Sequence, residues 1–331
     1  MSKIAIVGAT GLVGSTFLKV IGEYKIKIDE LRLFASSRSK GKTIEFQDKE
    51  YIVDDINEGS FIGIDYALFS AGGETSLRYA KQAVNEGAIV IDNSSAFRMD
   101  KDVPLVVPEI NISDTYNASL IANPNCSTIQ AVLPLKAISD KYNIESVTYT
   151  TYQAVSGSGL NGINDLLRTR EGKDPEFYPY NITETCIPQI DVFLDDGYTK
   201  EEHKMMKETQ KILHNDSLKI SATCVRVPVL NSHAVSMRIE LSKEPNIEEV
   251  KQLLSNYEGI IVTDKPKDSI YPVATQANGT DFVYVGRIRK DKINPKGLLL
   301  YTVSDNVRKG AASNAVQIMM KLIEHGGDKN A

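Results

Sequence analysis

Cysteine is scarce in this chain, and its scarcity excludes a disulfide framework. Cys126, Cys186 and Cys224 stand far apart in 331 residues and show no CxxC spacing, which points to a reducing compartment. Long apolar runs are missing too: no stretch of about 18 residues could span a bilayer. The opening segment meets Gly8 after Ile4, Ala5, Ile6 and Val7, without the longer apolar core of a secretory signal, so the expected location is the cytoplasm. Nor is there an excess of positive charge. Lys+Arg 38 against Asp+Glu 43 gives a net charge of −5, so no global field draws nucleic acid or anionic lipid, and neither is expected as a partner. Any anionic ligand must be met by local charges.

What is present is an ordinary globular composition, 42% hydrophobic and 24% charged, long enough for two domains. Lys3 to Val7 forms a short Ile/Val run, stops at a glycine turn, and continues as a helical pattern through Phe17, Leu18 and Ile21. Apolar runs follow at Leu31 to Phe34, Tyr66 to Phe69 and Ala88 to Ile91, with a helical stretch from Ser76 to Asn85. Alternation of this kind predicts a parallel sheet covered by helices. Beyond residue 127 the strand-like segments lengthen: Ser146 to Ala154, Thr223 to Leu230, Ala234 to Leu241, Phe282 to Ile288 and Leu298 to Val303. The expected second sheet is mainly antiparallel. Arg308 to His325 reads as a closing helix, with Gly326-Gly327 as its stop signal.

Gly8, Gly11 and Gly14 have GxxGxxG spacing between strand and helix. Bare backbone can there approach a pyrophosphate, with the next helix N-terminus pointed at it. About 20 residues on, where NAD-selective proteins place a carboxylate, the chain reads Ser36-Ser37-Arg38 instead. A guanidinium can make paired bonds to a 2′-phosphate, which favours NADP over NAD.

The segment Asn123-Pro124-Asn125-Cys126-Ser127-Thr128 precedes an apolar stretch, Ile129 to Leu135, that can begin a helix. The positive end of a helix dipole favours a thiolate over a thiol, which makes Cys126 the leading nucleophile candidate. Pro134 is expected to kink any helix running through it. Thr151 to Gly159 follows a strand, and its amide and glycines could position a substrate carbonyl or approach a nicotinamide. Arg226 and His233 lie seven residues apart on consecutive strand-like segments.

Seven motifs taken together resemble the aspartate-semialdehyde dehydrogenase family, nearly end to end: GATGLVG from Gly8, SSAFRM around Arg98, NPNCST around Cys126, QAVSG from Gln153, EEHKM from Glu201, CVRVPVLNSH ending at His233, and SDN ending at Asn306. The resemblance implies an α/β chain. Residues 1–127 would form a Rossmann-type NADP-binding domain to which a helix within 306–331 returns, and 128–305 an α+β catalytic and dimerisation domain. It further implies a homodimer or homotetramer, and NADP-dependent, phosphate-requiring oxidation of L-aspartate 4-semialdehyde, run in the cell as a reduction.

Position by position, the resemblance makes Cys126 the thioester nucleophile, His233 the acid/base and Gln153 the residue that orients the carbonyl. Arg226 would hold the substrate carboxylate and Glu202 would face its amine. Arg98 and Lys204 would hold phosphate, with Asn125 beside the substrate. The cofactor positions would be Gly8, Thr10, Gly11, Leu12, Val13, Ser36, Ser37, Arg38, Ser70, Gly72, Ser156, Gly157 and Asn306. Cys186 and Cys224 match no chemical position. The rival N-acetyl-glutamyl-phosphate reductase resembles NPGCY at its cysteine, unlike Asn125-Cys126-Ser127 here, and a catalytically silent paralogue would not need Cys126, Gln153, Arg226 and His233 together.

Overall fold

The computed structural model describes residues 2–328. The chain begins with β1 (Ser2–Val7), α1 (Leu12–Glu23), β2 (Ile28–Phe34), β3 (Thr43–Phe46), β4 (Lys49–Asp54) and β5 (Tyr66–Phe69). Next come α2 (Gly73–Asn85), β6 (Ile89–Asp92), α3 (Pro108–Asn111), β7 (Leu120–Ala122), α4 (Cys126–Ser139) and β8 (Ile144–Gln153). They are followed by α5 (Gly159–Arg170), α6 (Lys200–Ile212), β9 (Lys219–Arg226), β10 (His233–Leu241), α7 (Ile247–Ser255) and β11 (Ile260–Val262). The last elements are α8 (Ala274–Ala277), β12 (Val283–Lys290), β13 (Gly297–Ser304) and α9 (Ser313–Asp328). Residues 2–124 with 311–328 make one compact unit and 125–310 a second.

In the first unit seven strands lie in the order β3-β4-β2-β1-β5-β6-β7. All pair in parallel except β3 with β4. The central strand β1 is apolar on both faces, and Ile4, Ala5 and Ile6 are fully buried, as a parallel strand with both faces covered requires. The chain turns out of β1 at Gly8, whose φ of +90° puts an added Cβ 2.9 Å from the Ser70 carbonyl carbon. Gly14 is held more tightly still, since a Cβ there would lie 2.1 Å from the Gly8 oxygen. α1 buries Phe17, Leu18, Val20 and Ile21 in a cluster shared with Ala315, Val316, Met319 and Leu322 of α9. Truncating Phe17 to alanine there costs about 3–5 kcal/mol.

The end of the chain departs from expectation. Arg308–Ala312 is a π-helical turn, closed by the Gly310 N–H donating to the Asp305 oxygen at 2.9 Å, and α9 then runs through Gly326 and Gly327 to Asp328. A helical glycine costs about 1 kcal/mol and forbids nothing, and Gly326 does not adopt the positive φ of a helix stop.

The second unit carries six strands in the order β11-β12-β13-β10-β8-β9. Its three central pairs are antiparallel, while β11–β12 and β8–β9 are parallel, so the sheet is mixed and, as expected, mainly antiparallel. The long connection through α5 and α6 is what lets β9 pair in parallel with β8. β9 ends at Arg226 rather than running on to Leu230, because Pro228 has no N–H to give a ladder. α4 is buried along nearly its whole length and continues past Pro134 to Ser139. Along β8, Val147, Tyr149 and Thr151 are buried while Thr148 and Tyr152 are exposed, so one face of the sheet meets the core and the other does not. Among the described residues no helix is long and apolar enough to cross a membrane.

Candidate active site

Asn125 caps α4, its Oδ1 accepting from the backbone N–H groups of Ser127 at 2.9 Å and Thr128 at 3.3 Å. Cys126 is therefore the first residue of the helix, half-buried, at the end whose dipole favours an anion. The turn is tied from outside as well. The Asn125 N–H donates to Oε2 of buried Glu208 at 2.6 Å, and its side-chain amide donates to Oε1 of Glu201 at 2.9 Å. Across from Cys126 stands Gly310, where a Cβ would come within 2.9 Å of the Cys126 Cβ. Glu208 and Gly310 were not legible from motifs, since their roles are to hold backbone rather than to react.

α6 supplies a correction. Thr199 and Glu202 form a reciprocal capping box: the Thr199 hydroxyl accepts from the Glu202 N–H at 3.3 Å, and Glu202 Oε2 accepts from the Thr199 N–H at 2.7 Å. Oε1 of Glu202 accepts from the Cys224 N–H at 2.9 Å, so both oxygens are engaged with backbone and Glu202 does not face the site. Glu201 does. Its Oε1 accepts from Asn125 and from Nε2 of Gln153, the latter at 3.2 Å, and its Oε2 pairs with Lys204 at 3.2 Å. Lys204 also reaches Asp191 at 2.8 Å. Burial works against the Lys204 charge, but Glu201 and Asp191 hold its pKa above the ordinary value. The sequence did carry the signal: Thr199-Lys200-Glu201-Glu202 fits T-x-x-E, which assigns the second glutamate to the cap.

Gln153 ends β8, Arg226 ends β9 and His233 begins β10, so the sheet delivers all three side chains to one edge. The Ala154 backbone joins two of them. Its N–H donates to His233 Nδ1 at 3.0 Å, and its carbonyl accepts from Arg226 at 2.6 Å. His233 is fully buried, its Nε2 has no partner, and burial first, then the Arg226 charge, holds its pKa well below the usual imidazole value. Beside it Gly157 leaves room: an added Cβ would stand 2.9 Å from the Arg226 guanidinium and 3.0 Å from His233 Nε2. Ser232, just before His233, has a φ of +76°, a strained conformation for a residue with a side chain. Asn306 receives its N–H at 2.9 Å and bonds the Ser156 hydroxyl, which also meets Asn231 at 2.8 Å. Ser156, Gly157 and Asn306 thus frame the histidine.

The remaining site residues lie in the first unit. Gly8 and Ser70 follow the C-terminal ends of β1 and β5, adjacent strands at the point where the sheet order reverses direction, the usual crevice for a dinucleotide. Gly11 precedes α1 and Gly72 precedes α2, neither with a side-chain cap, and no acidic residue occupies the first turn of α1. Thr10 reaches the turn after β2, its hydroxyl 3.5 Å from that of Ser39. Ser36, Ser37 and Arg38 are exposed on that turn, while Lys40 is drawn off by Asp54 and Asp55. A turn closed to a Cβ at Gly8 and Gly14 and an exposed guanidinium fit a phosphorylated dinucleotide. Arg98 is buried in the same unit, donating to the carbonyls of Asn123 and Asn93, each at 2.9 Å.

The other cysteines and histidines fall outside this arrangement. Cys224 is buried, and that burial pushes its thiol pKa far up, leaving it inert as a nucleophile. Cys186 is exposed, and His203 pairs with Asp196 at 2.8 Å.

Comparison with known proteins agrees with this layout. Residues 3–118 match the family model "Semialdehyde dehydrogenase, NAD binding domain" and residues 135–309 match "Semialdehyde dehydrogenase, dimerisation domain". The chain is 52% identical to an aspartate-semialdehyde dehydrogenase of Aquifex aeolicus, covering 98% of each. It superposes with a TM-score of 0.93 on the crystal structure of aspartate semialdehyde dehydrogenase II of Vibrio cholerae complexed with ASA, at 45% identity over 98% of each chain. The NADP-bound enzyme of Candida albicans gives 0.78 at 27% identity, over 97% of this chain and 98% of that one. With nucleotide cradle, cysteine turn and relatives in agreement, this chain belongs to the aspartate-semialdehyde dehydrogenase family.

Proposed function

We propose that this chain catalyses the NADP-dependent, phosphate-requiring interconversion of L-aspartate 4-semialdehyde and 4-phospho-L-aspartate, run in the cell as the reduction that feeds diaminopimelate, lysine, threonine and methionine synthesis. The observation that carries the reading is the convergence on the cysteine turn: Asn125 and Gln153 both donate to Glu201, whose second oxygen holds Lys204.

The Cys126 thiolate adds to the carbonyl carbon of the substrate, and the product of that addition passes to a thioester. NADP, when bound, supplies the acceptor and donor of hydride. Gln153 orients the acyl group, Arg226 pairs with the α-carboxylate as a planar guanidinium does, and Glu201 faces the ammonium in place of Glu202. Lys204 and Arg98 hold the phosphate that attacks the thioester and leaves as the acyl phosphate. His233 stands at the reacting oxygen. Ser156, Gly157 and Asn306 keep the nicotinamide end, while Gly8 to Val13, Ser36 to Arg38, Ser70 and Gly72 hold the rest of the cofactor.

Functionally, residues 1–127 with the closing helix bind NADP, and 128–305 carry catalysis and dimerisation. The assembly is a homodimer in the cytoplasm. Its contact surface is the outer face of the second sheet, where the Tyr152 and Tyr301 rings stand 6.1 Å apart and the alternate residues of β8 are left exposed. Two homodimers can pair into a tetramer, and sedimentation decides between the two states. The activity is tested by NADP reduction with aspartate semialdehyde beside N-acetylglutamate semialdehyde, with and without phosphate. Turnover of the first alone, dependent on phosphate, is expected, and preference for the second rejects the assignment.

A further inference from the structure

We propose that Asp191 holds Lys204 until phosphate arrives and then gives it up to the anion, so that one exposed carboxylate on the loop ahead of α6 sets how tightly phosphate is taken. Asp191 takes this part on the reading above in which Lys204 holds phosphate. It touches neither phosphate nor the reacting atoms and acts through Lys204, as a positioning residue.

The Lys204 ammonium lies between two carboxylates, 2.8 Å from Asp191 Oδ2 and 3.2 Å from Glu201 Oε2. One positive charge thus faces two negative ones, and a phosphate dianion brought to this ammonium is repelled until one carboxylate leaves. The two are not equally free to leave. Glu201 is buried, and its other oxygen accepts from the side-chain amides of Asn125 and Gln153. Asp191 is exposed, and its remaining bonds are local: Oδ1 accepts from the Val192 N–H at 2.9 Å, and its carbonyl accepts from the Gln189 amide at 3.2 Å. Oδ2 can therefore release the lysine while the loop stays tied to the start of α6, where the Lys200 N–H donates to the Val192 carbonyl at 3.0 Å and Phe193 bridges to Thr199.

An ion pair open to water is weak, whereas phosphate offers the same ammonium a double charge, so the exchange favours the anion once it is present. Burial works against the Asp191 charge, yet the Lys204 ammonium and the Val192 N–H keep its pKa below the ordinary carboxyl value, and Asp191 meets the phosphate as an anion. The backbone makes the contact easy to remove cleanly. Asp191 has a φ of +68°, a left-handed conformation that asparagine tolerates as well as aspartate does. In Asp191→Asn the amide oxygen can still accept from the Val192 N–H, and the group turned to Lys204 becomes an NH₂, which can only donate.

Steady-state kinetics of the full chain with NADP, L-aspartate 4-semialdehyde and inorganic phosphate tests the exchange. Asp191→Asn is expected to lower the KM for phosphate about three- to fivefold, with the KM values for semialdehyde and NADP, and Tm, as in the wild type. A carboxylate that merely props Lys204 in place has the opposite sign, so a KM for phosphate that is raised or unchanged overturns the proposal. The gain must also vanish in the double variant Lys204→Met/Asp191→Asn, because Asp191 acts only through the lysine; a gain that persists there overturns it too. Lys204→Met alone separates the two layers. If it raises the KM for phosphate while Asp191→Asn brings no gain, only the part given to Asp191 fails, and if it leaves that KM unaltered, Lys204 does not hold phosphate and the reading beneath fails with it.

Discussion

The glycine turn of the first unit and the cysteine turn of the second are built on opposite plans. Around Gly8 the proposed contacts are consecutive backbone amides, and what matters is the absence of side chains: Gly8 and Gly14 tolerate no Cβ against their neighbours. Around Cys126 the groups come from α4, α6 and the ends of β8, β9 and β10. Three of them are held through backbone by other residues: Glu208 accepts the Asn125 N–H, and Ala154 bonds His233 and Arg226. A local cradle is robust to everything except bulk. A site assembled from five elements is sensitive to single-residue offsets, and the exchange of Glu201 for Glu202 is such an offset.

The largest effect that would sharpen this contrast is Cys126→Ala. Turnover should fall by at least about 10⁴-fold while NADP titration stays close to wild type, and loss of both would mean that the two plans are not separable. Next is Gly157→Ala, whose methyl meets both Arg226 and His233. It should lower kcat/KM about 10²-fold with little change in Tm, and normal kinetics would show that the second site is as tolerant as a loop. The two glutamates should then split. Glu201→Gln raises KM for the amino-acid substrate with Tm unchanged, whereas Glu202→Gln costs about 1–2 kcal/mol of stability through the lost cap. The reverse pattern restores Glu202 to the site.

Arg38→Ala should weaken NADP about tenfold and leave NAD almost untouched, the size of one charge-assisted contact; equal losses would remove the 2′-phosphate contact. The smallest effect concerns acid stability. With the His233 pKa held well below normal, the unfolded chain takes up a proton below about pH 6.5 that the folded chain refuses. Stability therefore rises with pH up to that value and is lost as pH falls below it. His233→Gln should flatten the acid limb of Tm against pH, and an unaltered limb would place the titration elsewhere.

Much of the first unit was legible because its signals are contiguous: strand, glycine turn, helix, and Ser36-Ser37-Arg38 where a carboxylate would stand. In the second unit the reactive residues could be named, but their supports could not. Glu208, Ala154 and Gly310 act through backbone bonds or missing bulk, and Asp191 through an ion pair with Lys204 from a distant loop, and no motif marks such duties. The closing helix shows the same limit. Gly326-Gly327 reads locally as a stop, yet α9 continues through it, with Val316, Met319 and Leu322 anchored in the core.

By itself the sequence determined the alternation of elements, the glycine turn and the candidate nucleophile, since these depend on periodicity and on neighbours within a few residues. Only the tertiary structure decided which glutamate faces the cysteine turn, which backbone N–H meets the His233 ring, and how β9 pairs with β8. Those outcomes depend on hydrogen bonds between groups tens of residues apart, and a buried donor or acceptor takes whichever partner the packing brings to it.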